Sequence, residues 1–187
     1  MARDPDPTIK TALLERVLEY LLANGVSSFS LRPLADATGT NARMLIYHFG
    51  SKEQMIVEAL RLAQAKQIAM LSSSPEPAKN TEAELMSLWQ WFTSENFVPF
   101  VKLLFEVEMQ AINGNALYTE FANQTLDGWV VFVQSRLPGC DATTANLIVN
   151  AFSGLLLDRL VTNDAERTDA SFEAFAGLIR EEVIMTR

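Results

Sequence analysis

The densest cluster of chemically useful side chains lies between residues 30 and 52, in the run SLRPLADATGTNARMLIYHFGSK. Arg43 can donate two parallel hydrogen bonds to guanine O6 and N7, the commonest specific contact between a protein and a base pair. Thr40 and Asn41 can bond a phosphate or a base edge. Tyr47 can reach phosphate through its hydroxyl, and Met44 shares the outward face with Arg43 and Tyr47. His48 can reach phosphate through a ring N–H; the plain alternative is a helix-end histidine packed on the first helix. Lys52 opens a helix, where its charge and the free backbone N–H groups together favour an anion. A lysine after a capping serine is also an ordinary surface residue. Arg32 can contact phosphate from the start of its helix or stand as a solvated charge.

The rest of the composition offers little for catalysis. His48 is the only histidine and Cys140 the only cysteine among 187 residues. An intrachain disulfide, a multi-cysteine zinc site, any other metal centre and a cofactor are therefore not expected. Apolar residues make up 49% of the chain and charged residues 20%, enough for a packed core. No segment reaches the roughly 18 uninterrupted apolar residues of a membrane span, and MARDPDPTIK has no apolar signal-like region. A soluble, cytoplasmic protein with no membrane partner is expected. The net charge of −8 runs against nucleic-acid binding, but the excess acid lies beyond residue 66: residues 1–66 balance at +1 and residues 67–187 at −9. A few placed cations can still face phosphate; bulk electrostatics cannot supply the affinity.

These residues must be positioned by short helices. Thr8 can cap a first helix to about Ala23, with Ile9, Leu13, Val17 and Leu21 on one face. Asn24-Gly25 stops it. Ser30 can cap a second helix with Pro33 in its first turn, and Gly39 supplies the turn into a third, starting near Thr40 or Asn41 and ending near Tyr47. Leu34, Leu45 and Phe49 point inward, and the small Ala35 allows close packing of the pair. Gly50 breaks the third helix. Ser51-Lys52-Glu53-Gln54 is a capping-box pattern for a fourth, to about Met70. SSSPEPAKN, residues 72–80, reads as a linker. Further helices are expected at about 82–95, 97–112, 116–137, 142–162 and 169–185. No period-2 pattern occurs, so the fold class is all-α: a three-helix helix-turn-helix head plus a C-terminal helical bundle, about nine helices in all.

With S-L-x-x-L-A-x-x-T-G-T followed by Y-H-F-G-S-K-E, residues 9–65 resemble the TetR family of one-component transcriptional regulators. The carried features are Leu34-Ala35, Gly39, Tyr47-His48-Phe49 and Ser51-Lys52-Glu53. Family members commonly place a phosphate-contacting tyrosine one position before Tyr47, where this chain has Ile46, and often a small residue where Arg43 stands. The resemblance implies a DNA-binding domain at residues 1–50 and a ligand-binding and dimerisation domain at residues 51–187. It also implies a homodimer on a palindromic operator, acting as a repressor that a small hydrophobic effector releases, and no enzyme activity. In the family the last two helices pair with those of a second subunit. That points to Leu147, Ala151, Gly154, Leu155 and Asp158 on one helix and Phe172, Phe175, Ile179 and Val183 on the other.

The aromatic set of the C-terminal part has two readings. Trp89, Phe92, Phe105, Met109, Trp129, Phe132 and Phe152 can line an apolar cavity between helices, or form ordinary bundle core. Glu106 and Glu108 sit in a mainly apolar helix; if buried, either needs a partner, for which a cationic ligand would serve, and if exposed, neither does. The rival to a regulator is an all-α carrier or enzyme with its site among these aromatics. Against it, the bundle has no histidine and no Glu-x-x-His pattern.

Overall fold

The computed structural model describes residues 7–27, 29–72, 78 and 80–185, without the side chains of residues 7 and 180–185. Among them are nine α-helices and no strand: α1 (Pro7–Asn24), α2 (Leu31–Ala37), α3 (Ala42–Phe49), α4 (Lys52–Ser72), α5 (Thr81–Phe92), α6 (Val98–Ile112), α7 (Ala116–Arg136), α8 (Ala142–Thr162) and α9 (Ala165–Met185). No helix among the described residues is long and apolar enough to cross a membrane. Residues 73–77 and 79 of the expected linker lie outside the described residues.

Helix ends follow local chemistry. α1 already includes Pro7, so Thr8 falls inside its first turn instead of capping it. α5 stops at Phe92, short of the expected residue 95, where the hydroxyls of Thr93 and Ser94 donate back to the carbonyls of Trp89 and Trp91. α9 starts at Ala165, earlier than the expected 169, because Asp164 Oδ1 accepts the Arg167 N–H at 3.0 Å and caps the first turn.

Packing divides the chain into two compact units, Met1–Leu71 with Pro99–Asn123, and Ser72–Val98 with Gln124–Arg187. This division follows contact, and it does not fall at the functional boundary expected after residue 50. In the first unit, Val17 and Leu21 of α1, Leu34 of α2, Leu45 of α3 and Met55, Ile56 and Leu60 of α4 are fully buried. α1 and α4 are also tied by two ion pairs, Lys10–Glu58 at 2.7 Å and Lys66–Glu15 at 2.9 Å.

In the second unit α9 packs on α5 and α8. Trp89 lies flat on Phe172, with ring centroids 4.4 Å apart, and its indole N–H donates to Asp169 at 2.7 Å. Arg159 donates to the same Asp169 oxygen at 2.7 Å. The buried Glu84 accepts from Arg136 at 2.6 Å and from the Ala78 N–H at 2.7 Å, so neither carboxylate oxygen is left without a donor.

The turn between α8 and α9 is closed by a two-pronged pair: Arg167 Nη1 and Nη2 each donate to one Asp158 oxygen at 2.7 Å. Hydrogen bonding to Arg167 holds the Asp158 carboxyl below the usual carboxylate range. A carboxyl depressed in the folded state stabilises the fold above its unfolded value of about 4 and loses that contribution as pH falls through the folded value. Asp158→Asn should therefore lower the urea midpoint at pH 7. The gap from the parent should shrink only as the pH drops below about 4; a constant gap from pH 7 to pH 3 would show that the pair contributes nothing through its charge.

Candidate nucleic-acid interface

The α2–α3 pair begins from a turn that only certain residues can make. Gly39 sits at φ +68°, in the left-handed region that a side chain disfavours. Thr38 is buried beside it, and its hydroxyl donates to the Leu34 carbonyl at 2.7 Å. From α1, Arg16 donates to the Thr38 carbonyl at 3.0 Å. Asn41, in extended conformation, then caps α3 by accepting the Met44 N–H at 3.0 Å. α3 itself starts at Ala42, one residue beyond the later of the two expected starts. Gly50, at φ +79°, ends the helix, and Ser51 Oγ accepts the Gln54 N–H at 3.0 Å to start α4.

A helix this placed has two faces. Leu45 and Phe49 are buried with Leu34 and Ala35 of α2. Arg43, Met44 and Tyr47 are exposed, Met44 by 38% and Tyr47 by 45%, with Asn41 exposed and Thr40 half-exposed before them. Residues 40, 43, 44 and 47 recur at helical spacing, so they form one outward strip. Among the described residues Arg43 has no ion-pair or hydrogen-bond partner, and it is exposed. Arg32 is exposed on α2. Ile46 is also exposed, by 36%. An apolar side chain there suits a thymine methyl better than a phosphate, a role the sequence reading did not give it although it stands three residues from Arg43.

Two expected phosphate contacts sit differently. The ring of His48 is buried, edge-on to Tyr47 with centroids 5.2 Å apart, and neither ring nitrogen has a partner among the described residues. In this arrangement His48 does not offer an N–H to the outward strip, because position 48 falls on the inner face with Leu45 and Phe49. Lys52 points back into the head: its ammonium donates to the Phe29 carbonyl at 2.7 Å and lies 4.9 Å from the centre of the Phe29 ring. It anchors the segment before α2, with two of its three donors uncommitted to that carbonyl.

The C-terminal candidates divide as well. Trp89, Phe92, Trp129, Phe132 and Phe152 join in one aromatic cluster in the second unit, with Phe92 5.3 Å from Trp129 and 5.2 Å from Phe152. Phe105 and Met109 belong to the first unit. Of the pairing candidates, Leu147 and Gly154 are exposed and Ala151, Leu155, Asp158 and Phe175 are half-buried. Phe172 and Ile179 are buried inside their own unit, Phe172 under Trp89, so they are core and not outward surface. The side chain of Val183 lies outside the described residues. Leu157, Val161 and Leu178, which the sequence reading passed over, are exposed, Val161 by 75% and Leu178 by 65%. Glu106 accepts backbone N–H groups within its own unit, and Glu108 is half-buried, its carboxyl pushed up by desolvation. Burial also pushes the Cys140 thiol up, which lowers its thiolate fraction.

Residues 13–59 match the family described as bacterial regulatory proteins, tetR family. None of the curated proteins matches by sequence. Among solved structures, the chain is similar to the multidrug binding protein EbrR complexed with proflavin, at 20% identity and TM-score 0.72, over 91% of this chain and 98% of that one. It is similar to a transcriptional regulator from Rhodococcus sp. Rha1, at 20% identity and TM-score 0.75, over 92% and 96%. A TetR family member from Streptomyces coelicolor A3 aligns at 20% identity and TM-score 0.72, over 93% and 99%.

An imidazole buried without partners costs stability that an apolar side chain of similar size avoids. His48→Leu should hold the denaturation midpoint at or above that of the parent, within about 1 kcal/mol, and leave DNA affinity unchanged. A loss of affinity with stability intact would return His48 to the contact set.

Proposed function

We propose that this chain, whose residues 13–59 match the tetR family, works as a cytoplasmic homodimeric repressor of that family which a small hydrophobic effector releases from a palindromic operator. The observation that carries the reading is the outward strip of α3, with Arg43 exposed and without a partner among the described residues, and Leu45 and Phe49 buried behind it. Arg43 reads a guanine, Met44 and Ile46 meet apolar base edges, and Thr40, Asn41 and Tyr47 position the helix on phosphate and base edges. Lys52 and Arg32 add phosphate contacts at the flanks. Functionally, residues 1–50 read DNA, and residues 51–187 pair the subunits and bind the effector.

Pairing is supported by the apolar surface that α8 and α9 leave outward. Leu147, Gly154, Leu157 and Val161 on α8 and Leu178 on α9 are exposed in a single chain, and a second copy would cover them. An exposed glycine at Gly154 permits close helix approach. One eight-residue recognition helix spans few base pairs; two related by two-fold symmetry read half-sites about one helical turn, or a multiple of it, apart.

Effector binding is supported by the aromatic cluster of Trp89, Phe92, Trp129, Phe132 and Phe152, and by the proflavin complex of EbrR, whose ligand is a flat aromatic molecule. The effector loosens the operator by shifting α4 as a lever, and it can do so only if it binds the released arrangement more tightly than the DNA-bound one. No enzyme activity is assigned.

Gel-shift with the DNA upstream of the protein's own coding sequence tests this. Arg43→Ala should cost ~1–3 kcal/mol and relax discrimination at one base position per half-site. Lys52→Ala should weaken all sequences alike and flatten the salt dependence by about one unit of slope. Binding no tighter than to random DNA, and insensitive to Arg43→Ala, would refute the reading.

A further inference from the structure

The turn between α1 and α2 is held by a carboxylate from far along the chain. Glu106 of α6 brings Oε2 onto three donors at once: the N–H of Val26, the N–H of Ser27 and the hydroxyl of Ser27, each at 2.7 Å. α1 has ended by then, with the Gly25 N–H on the Leu21 carbonyl at 2.8 Å. The next two N–H groups therefore have no helical acceptor, and Glu106 supplies one. Gly25 permits the approach. It sits at φ +76°, and a Cβ there would stand 2.8 Å from Glu106 Oε1, so any other residue would push that carboxylate out of place.

This contact reaches the DNA-reading strip in two further steps. α1 packs on α2 and α2 on α3, and Arg16 of α1 holds the Thr38 carbonyl in the turn between them. The contact is also not sealed. A cleft of about 240 Å³ opens beside it, lined by Leu21, Leu22, Gly25, Pro99, Lys102 and Glu106. Glu106 has room to withdraw into it, and water can then take over the two backbone N–H groups. A bond set with two accessible arrangements can carry coupling between elements; a sealed one cannot.

We propose that Glu106 is a positioning residue, a releasable pin through which α6 sets the presentation of the DNA-reading head. The proposal rests on the regulator reading above. With the pin in place, the α1–α2 turn is fixed on α6 and α3 is offered to DNA in one orientation. With it withdrawn, the turn is free to shift and DNA binding weakens. Movement of α6 thus has its own route into the head, separate from α4.

The test uses the full chain, a duplex that it selects from a random library, and three variants. Glu106→Ala removes the acceptor, Glu106→Gln keeps one carbonyl acceptor without the charge, and Ser27→Ala removes one of three bonds. Electrostatics makes an opposite prediction: deleting a negative charge should tighten binding to DNA. The pin predicts that Glu106→Ala weakens binding by about tenfold, within the usual size of couplings between sites. Amide exchange at Val26 and Ser27 should rise and the preferred sequence should stay the same. Glu106→Gln should bind as well as the parent or better, and Ser27→Ala should show a smaller loss. Unchanged or tighter binding by Glu106→Ala overturns the proposal, as does unchanged exchange at the two amides. Should Glu106→Ala not fold, full affinity in Ser27→Ala overturns it. A parent chain that selects no sequence over random DNA sinks the regulator reading itself, an outcome visible before any variant is made.

Discussion

An eight-residue helix does not hold its shape alone in water, since nucleation costs more than so few hydrogen bonds return. α3 exists because Leu45 and Phe49 are buried and the helix packs on α2, and the outward strip proposed to read DNA depends on that packing. The same burial decides which residues face outward. Once positions 45 and 49 point in, helical spacing leaves 43, 44 and 47 pointing out and draws 48 inward. Gly39 and Asn41 set where the helix begins, and so which turn of it leads.

The balance of only +1 over residues 1–66 makes this placement matter more. A strongly basic domain can bind DNA loosely in many poses, whereas a nearly neutral one depends on a few groups in the right geometry. Burial of His48 shortens that set further and leaves Arg43 as the cation on α3 with no partner among the described residues. In the proposed homodimer a second subunit doubles the contacts and compensates for how little one helix can read, with the exposed apolar residues of α8 and α9 as the proposed surface for it.

Much of the head was legible in the sequence because its determinants are local. Leu34, Leu45 and Phe49 follow from periodicity, Gly39 and Gly50 from backbone freedom, and Ser51 from a capping pattern. The late C-terminus of α3, at Phe49 and not Tyr47, differs only by frayed-end uncertainty. What stayed hidden depends on partners far along the chain. Nothing near Lys52 announces that it will reach the Phe29 carbonyl, and nothing near Glu106 announces the amides of Val26 and Ser27. The family resemblance points to Phe172 and Ile179 as pairing residues of α9, a helix with apolar residues on both faces. Trp89 settles the matter by stacking on Phe172 and leaving Leu178 outside. Charge in a mainly apolar stretch and apolar residues on both helix faces marked those positions as unusual, without naming the partner.

The central claim is that two copies of this α3 face, related by two-fold symmetry, read DNA sequence. Selection of duplexes from a random library by the intact protein tests it most directly. The account predicts recovery of a palindrome whose half-sites are centred about one helical turn, or a multiple of it, apart, with a guanine at the position that Arg43 reaches. Recovery of no sequence above background, or of a single asymmetric site bound by one chain, would contradict it.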